Sequence, residues 1–215
     1  MAYPPITLVV GTRPEAIKLG PVARALAARG MPFQLVITGQ HPTLDLSAYG
    51  LDRFPRIGLD CPGQPDPLAH AATVASAFRS VAEQTDLIMV QGDTSSALGG
   101  ALAGFDVGTA VAHVEAGLRS HDPAMRWPEE DNRVAIDARA ALLFAVTEVS
   151  AANLRADAVP GEIHVTGNTG LDRSPRAHRA HPRPSPPPCT TKRPFWSLVT
   201  AARTGERPSS RLPMR

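Results

Sequence analysis

Three short clusters in the first half of the chain hold the residue types that chemistry needs. They are Gly11-Thr12-Arg13-Pro14-Glu15 with Lys18 shortly after, Gln91-Gly92-Asp93-Thr94, and His113-Val114-Glu115-Ala116-Gly117. Each follows a short apolar run and precedes a helical one, which sets it at the carboxyl end of a strand. In a parallel α/β sheet those ends open onto one crevice, where ligands bind. If the strands before Asp93 and Glu115 are neighbours, two carboxylates share that crevice. Each then raises the other's pKa, which is how acid–base pairs are commonly made. Arg13 lies at the first turn and Lys18 about one helical turn later. With the positive end of the helix and its unpaired N–H groups, they suit a phosphate. Each reading has a plainer rival. Arg13 and Lys18 fit a solvated α/β unit equally well, Asp93, Thr94 or Ser95 suits a helix cap, and His113 reads as a buried structural histidine. The long loop 116–130 carries Arg119, His121 and Arg126, then Glu129-Glu130 after Trp127-Pro128. It reads either as a binding loop or as the acidic start of a helix.

The elements that position these clusters alternate regularly. Residues 6–10, 33–38, 87–90, 110–114, 142–146 and 163–166 read as strands, from β-branched runs closed by turn residues. Helical patterns cover 16–28 (with Pro14 at the favoured first position), 68–81, 95–105, 132–141 and 151–156. The stretch 40–66, with Pro42, Pro55, Pro62 and Pro65, reads as mostly loop with short elements. Such alternation predicts an α/β fold, a Rossmann-like parallel sheet with helices on both faces, and right-handed crossovers leave the loops on one edge.

Composition narrows the function classes. The dinucleotide pattern Gly-x-Gly-x-x-Gly is missing from the first turn, which argues against NAD. Cys61 and Cys189 give neither a disulfide framework nor metal-ligand spacing. No stretch approaches the roughly 20 apolar residues of a spanning helix, and the amino-terminal apolar run is too short for a signal peptide. The expected setting is cytoplasmic, without a membrane partner.

Taken together, Gly-Thr-Arg-Pro-Glu-Ala-Ile-Lys at 11–18, Gln-Gly-Asp-Thr at 91–94, His-Val-Glu-Ala-Gly-Leu-Arg at 113–119, Trp-Pro-Glu-Glu-x-Asn-Arg at 127–133 and Thr-Gly-Asn-Thr at 166–169 resemble the non-hydrolysing UDP-N-acetylglucosamine 2-epimerases. The resemblance runs in order from about residue 6 to Asp172. It implies the N-terminal half of a glycosyltransferase-B-type two-domain fold, with a C-terminal nucleotide-binding domain missing here. It also implies interconversion of UDP-GlcNAc and UDP-ManNAc by UDP elimination and re-addition, without NAD, metal or other cofactor, for cell-envelope polysaccharide. Carried over by position, Arg13 and Lys18 are the basic residues beside the diphosphate. Asp93, Glu115 and Glu129 are the catalytic carboxylates, with Glu130 the lesser of the adjacent pair. Homodimers of the family form through this domain. Some members carry Gln-His-Arg at an activator site for UDP-GlcNAc, whereas positions 40–42 here are Gln-His-Pro.

Beyond Asp172 the sequence changes character. Residues 173–215 hold nine Arg and one Lys against Glu206 alone, net +9, whereas residues 1–172 carry net −7. Nine prolines and few apolar residues in the tail block regular structure and predict disorder. The composition points to out-of-frame translation of a GC-rich gene, the rival being a basic arm for nucleic acid. Against that rival, the only aromatics are the adjacent Phe195 and Trp196, with no regular stacking spacing. Two domains are therefore expected, 1–172 and a 173–215 tail. The functional reading is a truncated epimerase, inactive alone. The alternatives are a non-catalytic nucleotide-sugar-binding fragment and a glycosyltransferase of the same architecture.

Overall fold

The computed structural model describes residues 5–122 and 127–173. Arg126, Cys189 and the 174–215 part of the tail lie outside these residues. Seven strands, β1 (Ile6–Val10), β2 (Phe33–Ile37), β3 (Arg56–Gly58), β4 (Leu87–Gln91), β5 (Ala110–Ala116), β6 (Leu142–Ala145) and β7 (Glu162–Val165), form one sheet in the order β3-β2-β1-β4-β5-β6-β7. Every pairing is parallel. Five helices connect them: α1 (Arg13–Ala28), α2 (Pro67–Ala82), α3 (Ser95–Val107), α4 (Glu129–Asp137) and α5 (Glu148–Ala156).

Side chains alternate across the sheet, and the alternation sorts the helices. Ile6, Leu8 and Val10 of β1 pack with Leu19 and Leu26 of α1 on one face. Val9 points the other way, into a cluster with Phe78 of α2, Leu98 and Ala101 of α3, and Ile136 of α4. Leu143 lies beside His113 in register on that same face and packs with Ala151 and Leu154 of α5. The central strands are buried on both sides, which is why they read as unbroken apolar runs.

Strand order reverses direction between β1 and β4. That switch point opens a crevice at the carboxyl ends of the strands, and the Gly11 and Gly92 turns flank it. Three elements differ from the sequence reading, the first being α5, which begins at Glu148 rather than 151. The stretch 40–66 contains β3, which extends the sheet by one edge strand. Helix α4 begins at Glu129 rather than 132 and ends at Asp137, which brings the Glu129-Glu130 pair into its first turn. Among the described residues no helix is long and apolar enough to cross a membrane.

Candidate active site

Asp93 and Glu115 leave adjacent strands. β4 and β5 pair in register up to Gln91 and Val114, so the turn after β4 carries Asp93 beside the end of β5. The cap of α3 is Thr94, whose Oγ1 accepts from the Ala97 N–H at 3.0 Å. Asp93 is thereby released from the capping role. Its carboxylate instead pairs with Arg133 of α4, and its backbone carbonyl accepts from Asn132 Nδ2 at 2.8 Å. Burial pushes the Asp93 carboxyl above its ordinary value, and Glu115 and Glu129 push the same way against Arg133 and Lys18.

Glu115 sits at a bulge. The β5–β6 register shifts between Val114 and Ala116, and Glu115 has φ 71°. A left-handed conformation in a residue with a long side chain costs about 1–3 kcal/mol and marks a constraint worth explaining. Here the bulge re-aims a side chain. Without it, Glu115 would follow His113 onto the α4 face. With it, the carboxylate reaches Lys18 of α1 and accepts from Gln91 Nε2 at 2.6 Å. Lys18 is one-quarter exposed and Glu115 less so, so the pair borders the crevice rather than the core.

The first turn is wired differently from expectation. Glu15 is buried, and its Oε2 accepts from the Gly11 N–H at 2.6 Å and the Thr12 N–H at 2.7 Å, while Oε1 accepts from the Thr94 hydroxyl. The two amides just ahead of α1 are therefore taken by the chain's own carboxylate. Burial raises the Glu15 carboxyl, although all of these donors pull it back down. Arg13 is exposed and lines a surface cavity of about 310 Å³ with His41, Asp45 and Tyr49.

Of the adjacent acids, Glu130 is buried and accepts from the Ser120 N–H at 2.8 Å and from its hydroxyl, fixing the loop after β5. Glu129 is exposed, in the first turn of α4, near enough to Asp93 to raise it. The structure thus gathers Asp93, Glu115, Glu129 and Lys18 around one crevice, with Arg13 at its β1 side. Gln91, Asn132 and Arg133 stand within the sequence motifs, but residue type alone gives them no role there. Arg133 sits one helical turn after Glu129, and that spacing is the signal. A larger cavity, about 400 Å³, is lined by Arg119, His121, Glu130 and Asp157 but by neither Asp93 nor Glu115. The grouped carboxylates and cations, not the volume, mark the candidate site. Among the described residues no three His, Cys, Asp or Glu side chains are grouped to hold a metal ion.

Behind the crevice, His113 and Asp137 are fully buried and share a 2.6 Å contact. Asp137 also accepts from Arg119 at 2.9 Å and from the Gly117 N–H at 3.1 Å. Burial raises the Asp137 carboxyl, but His113 and Arg119 outweigh it and hold the group below its ordinary value. A depressed carboxyl contributes stability that is present above its unfolded value and lost as pH falls through its folded value. Acid unfolding of the wild type is thus expected to steepen below the ordinary carboxylate range. In Asp137→Asn that limb should be flatter, as read from urea midpoints over a pH series. Identical pH profiles for the two proteins would refute this.

The chain matches the family model described as UDP-N-acetylglucosamine 2-epimerase over residues 24–204. It is 40% identical over 174 residues to a probable UDP-N-acetylglucosamine 2-epimerase of Ralstonia nicotianae, an alignment covering 78% of this chain and 46% of that protein. Among solved structures, the UDP-GlcNAc 2-epimerase of Methanocaldococcus jannaschii in complex with UDP-GlcNAc and UDP superposes with TM-score 0.72. It shares 34% identity over 82% of this chain and 51% of that one. The enzyme of Neisseria meningitidis bound to UDP-GlcNAc gives TM-score 0.71 and 34% identity over 78% and 47% of the two chains. The chain spans about half the length of these relatives. A parallel sheet with acid and base gathered at its switch point, matched over most of its length by one family model, belongs to the UDP-N-acetylglucosamine 2-epimerase family.

Proposed function

We propose that residues 1–172 form the carboxylate-bearing part of a non-hydrolysing UDP-GlcNAc 2-epimerase, and that turnover requires the further length by which the relatives exceed this chain. The observation that carries this reading is the pair Asp93 and Glu115 on adjacent strand ends, each beside its own cation. A carboxylate takes the C2 proton, the C2–H electron pair forms the C1=C2 bond, and the C1–O bond breaks to release UDP. Return of a proton to the opposite face of C2, with UDP adding back at C1, gives UDP-ManNAc. Elimination and re-addition move a proton and the UDP group and transfer no hydride, so no step of this scheme oxidises or reduces the sugar. Asp93, Glu115 and Glu129 are the acid–base group, and Asp93, whose carboxyl is raised by burial and its acidic neighbours, is the member whose environment favours holding a proton. Arg13 and Lys18 hold the diphosphate and offset the charge that develops on departing UDP. The setting is cytoplasmic, the assembly a homodimer, and the product feeds cell-envelope polysaccharide.

UDP-GlcNAc-bound structures of relatives support the substrate. The test is incubation with UDP-GlcNAc in deuterated water, with C2 exchange followed by NMR. The chain alone is expected to bind the sugar nucleotide weakly and exchange nothing. Supplied with the second domain of the Ralstonia relative, it should exchange C2 hydrogen and form UDP-ManNAc. Binding without exchange in that pairing would favour the non-catalytic reading. Turnover by the chain alone, lost on Asp93→Asn, would show that a second domain is unnecessary.

A further inference from the structure

Three residues in the left-handed region surround the carboxylate pair: Gly92 (φ 72°) before Asp93, Glu115 (φ 71°) itself, and Gly117 (φ 79°) just after it. One buried assembly grips both glycines. His113 Nε2 donates to the Gly92 carbonyl at 2.8 Å, and its Nδ1 lies 2.6 Å from Asp137 Oδ1. Asp137 Oδ2 accepts from the Gly117 N–H and from Arg119, and Arg119 continues to Asp157 at 2.7 Å. His113 itself supplies the strand residue two before the bulge.

Both ring nitrogens of His113 face acceptors, a carbonyl and a carboxylate. A neutral imidazole has one donor and one acceptor, so it satisfies only one of these contacts. The groups facing the ring are Asp137 from α4 and the Gly92 carbonyl from the β4 turn. Arg119 and Asp157 lie one and two contacts further on, and Glu115 lies on the opposite face. With Asp137 ionised beside Arg119, the additional proton belongs on the ring.

We infer that His113 and Asp137 are positioning residues for the carboxylate pair, clamping the turns on either side of Glu115 through an imidazole protonated on both nitrogens. The inference rests on reading Asp93 and Glu115 as the reacting groups, but its first test does not. Histidine-15N NMR on the full chain at neutral pH is expected to show protons on both nitrogens of His113. A neutral ring in the wild type would overturn the proposal outright.

Asp137→Asn supplies the second arm. The amide that this substitution introduces can donate to Nδ1 and still accept from Gly117 and Arg119, so every contact survives with a neutral ring. The variant is expected to fold, to lose the Nδ1 proton and, with the clamp intact, to keep the 13C carboxyl signals of Asp93 and Glu115 in place. His113→Ala removes both contacts, to the Gly92 carbonyl and to Asp137, and in the folded variant is expected to shift both carboxyl signals, whereas unshifted carboxyls there would refute the positioning role. Should His113→Ala fail to fold, His113→Gln reads the same carboxyl signals, with a shift again expected and no shift refuting. Failure of UDP-GlcNAc exchange with intact ring protonation and carboxyl coupling would count against the proposed function and leave this inference standing.

Discussion

Gly117→Ala is expected to destabilise the domain by about 2–5 kcal/mol. Two costs combine. The residue has φ 79°, where a Cβ costs about 1–2 kcal/mol. The added methyl would also lie 2.3 Å from the Ser150 carbonyl oxygen and 2.8 Å from Leu154 Cγ. The nearest of these is backbone, held in α5 by its own ladder, so it cannot rotate aside. Overpacking of this kind costs about 1–3 kcal/mol, and a domain has only about 5–15 kcal/mol in all. Relief by moving Gly117 would stretch its N–H from Asp137 and its carbonyl from Asn153, now 2.9 Å away. The comparison is Gly108→Ala, at φ 78° with nothing within 4 Å of the new methyl. It should cost only the backbone term. Urea denaturation of both gives the clash by difference, and equal losses at the two sites would refute the clash.

The same surroundings show what is legible in the sequence and what is not. Unbroken apolar strands and punctual helix starts specify the parallel sheet, because strands buried on both faces leave a signal in residue type alone. β3 leaves none. Its three residues Arg56, Ile57 and Gly58 lie at the sheet edge and are exposed or half-buried, so no apolar run is needed. Helix α4 reads three residues late because its first turn is all acidic. Acid there answers the helix dipole and, at Glu130, the Ser120 amide and hydroxyl, and neither produces periodicity.

Within the site, residue type locates the carboxylates but not their wiring. Spacing places His113 and Glu115 on one face, as any regular strand would, and the bulge moves Glu115 to the other side. Nothing in Val114-Glu115-Ala116 announces a left-handed glutamate. Glu15 is equally hidden. A Glu in the first turn of a helix reads as a dipole partner, yet here it turns back to accept from the Gly11 and Thr12 amides ahead of the helix. Asp137, between Ile136 and Ala138 at the end of α4, carries no mark of a role in sequence, while the fold buries it completely. Ionic contacts between distant segments depend on topology, and a one-dimensional pattern carries no trace of them.

Asp93→Asn should lower turnover by about 10²–10⁴-fold once the second domain is supplied, the range general acid–base groups contribute. The substitution is nearly isosteric, and the capping of α3 rests on Thr94, so the turn keeps its shape. An amide at this position can still hydrogen-bond but cannot cycle a proton with C2. Arg133 loses its ionic partner, which makes a folding control necessary, and circular dichroism with a thermal midpoint provides it. Lys18→Met separates proton transfer from binding. Lys18 bridges Glu115 and the expected diphosphate position, so its loss should weaken substrate binding and slow UDP departure together. Asp93→Asn should instead leave the affinity for UDP within about twofold, because no phosphate contact is assigned to it, and act on kcat. A variant with full turnover and an unchanged rate of C2 deuterium exchange would remove Asp93 from the acid–base group. Glu115 and Glu129 would then remain to carry the reaction, and the Arg133 pair would be structural.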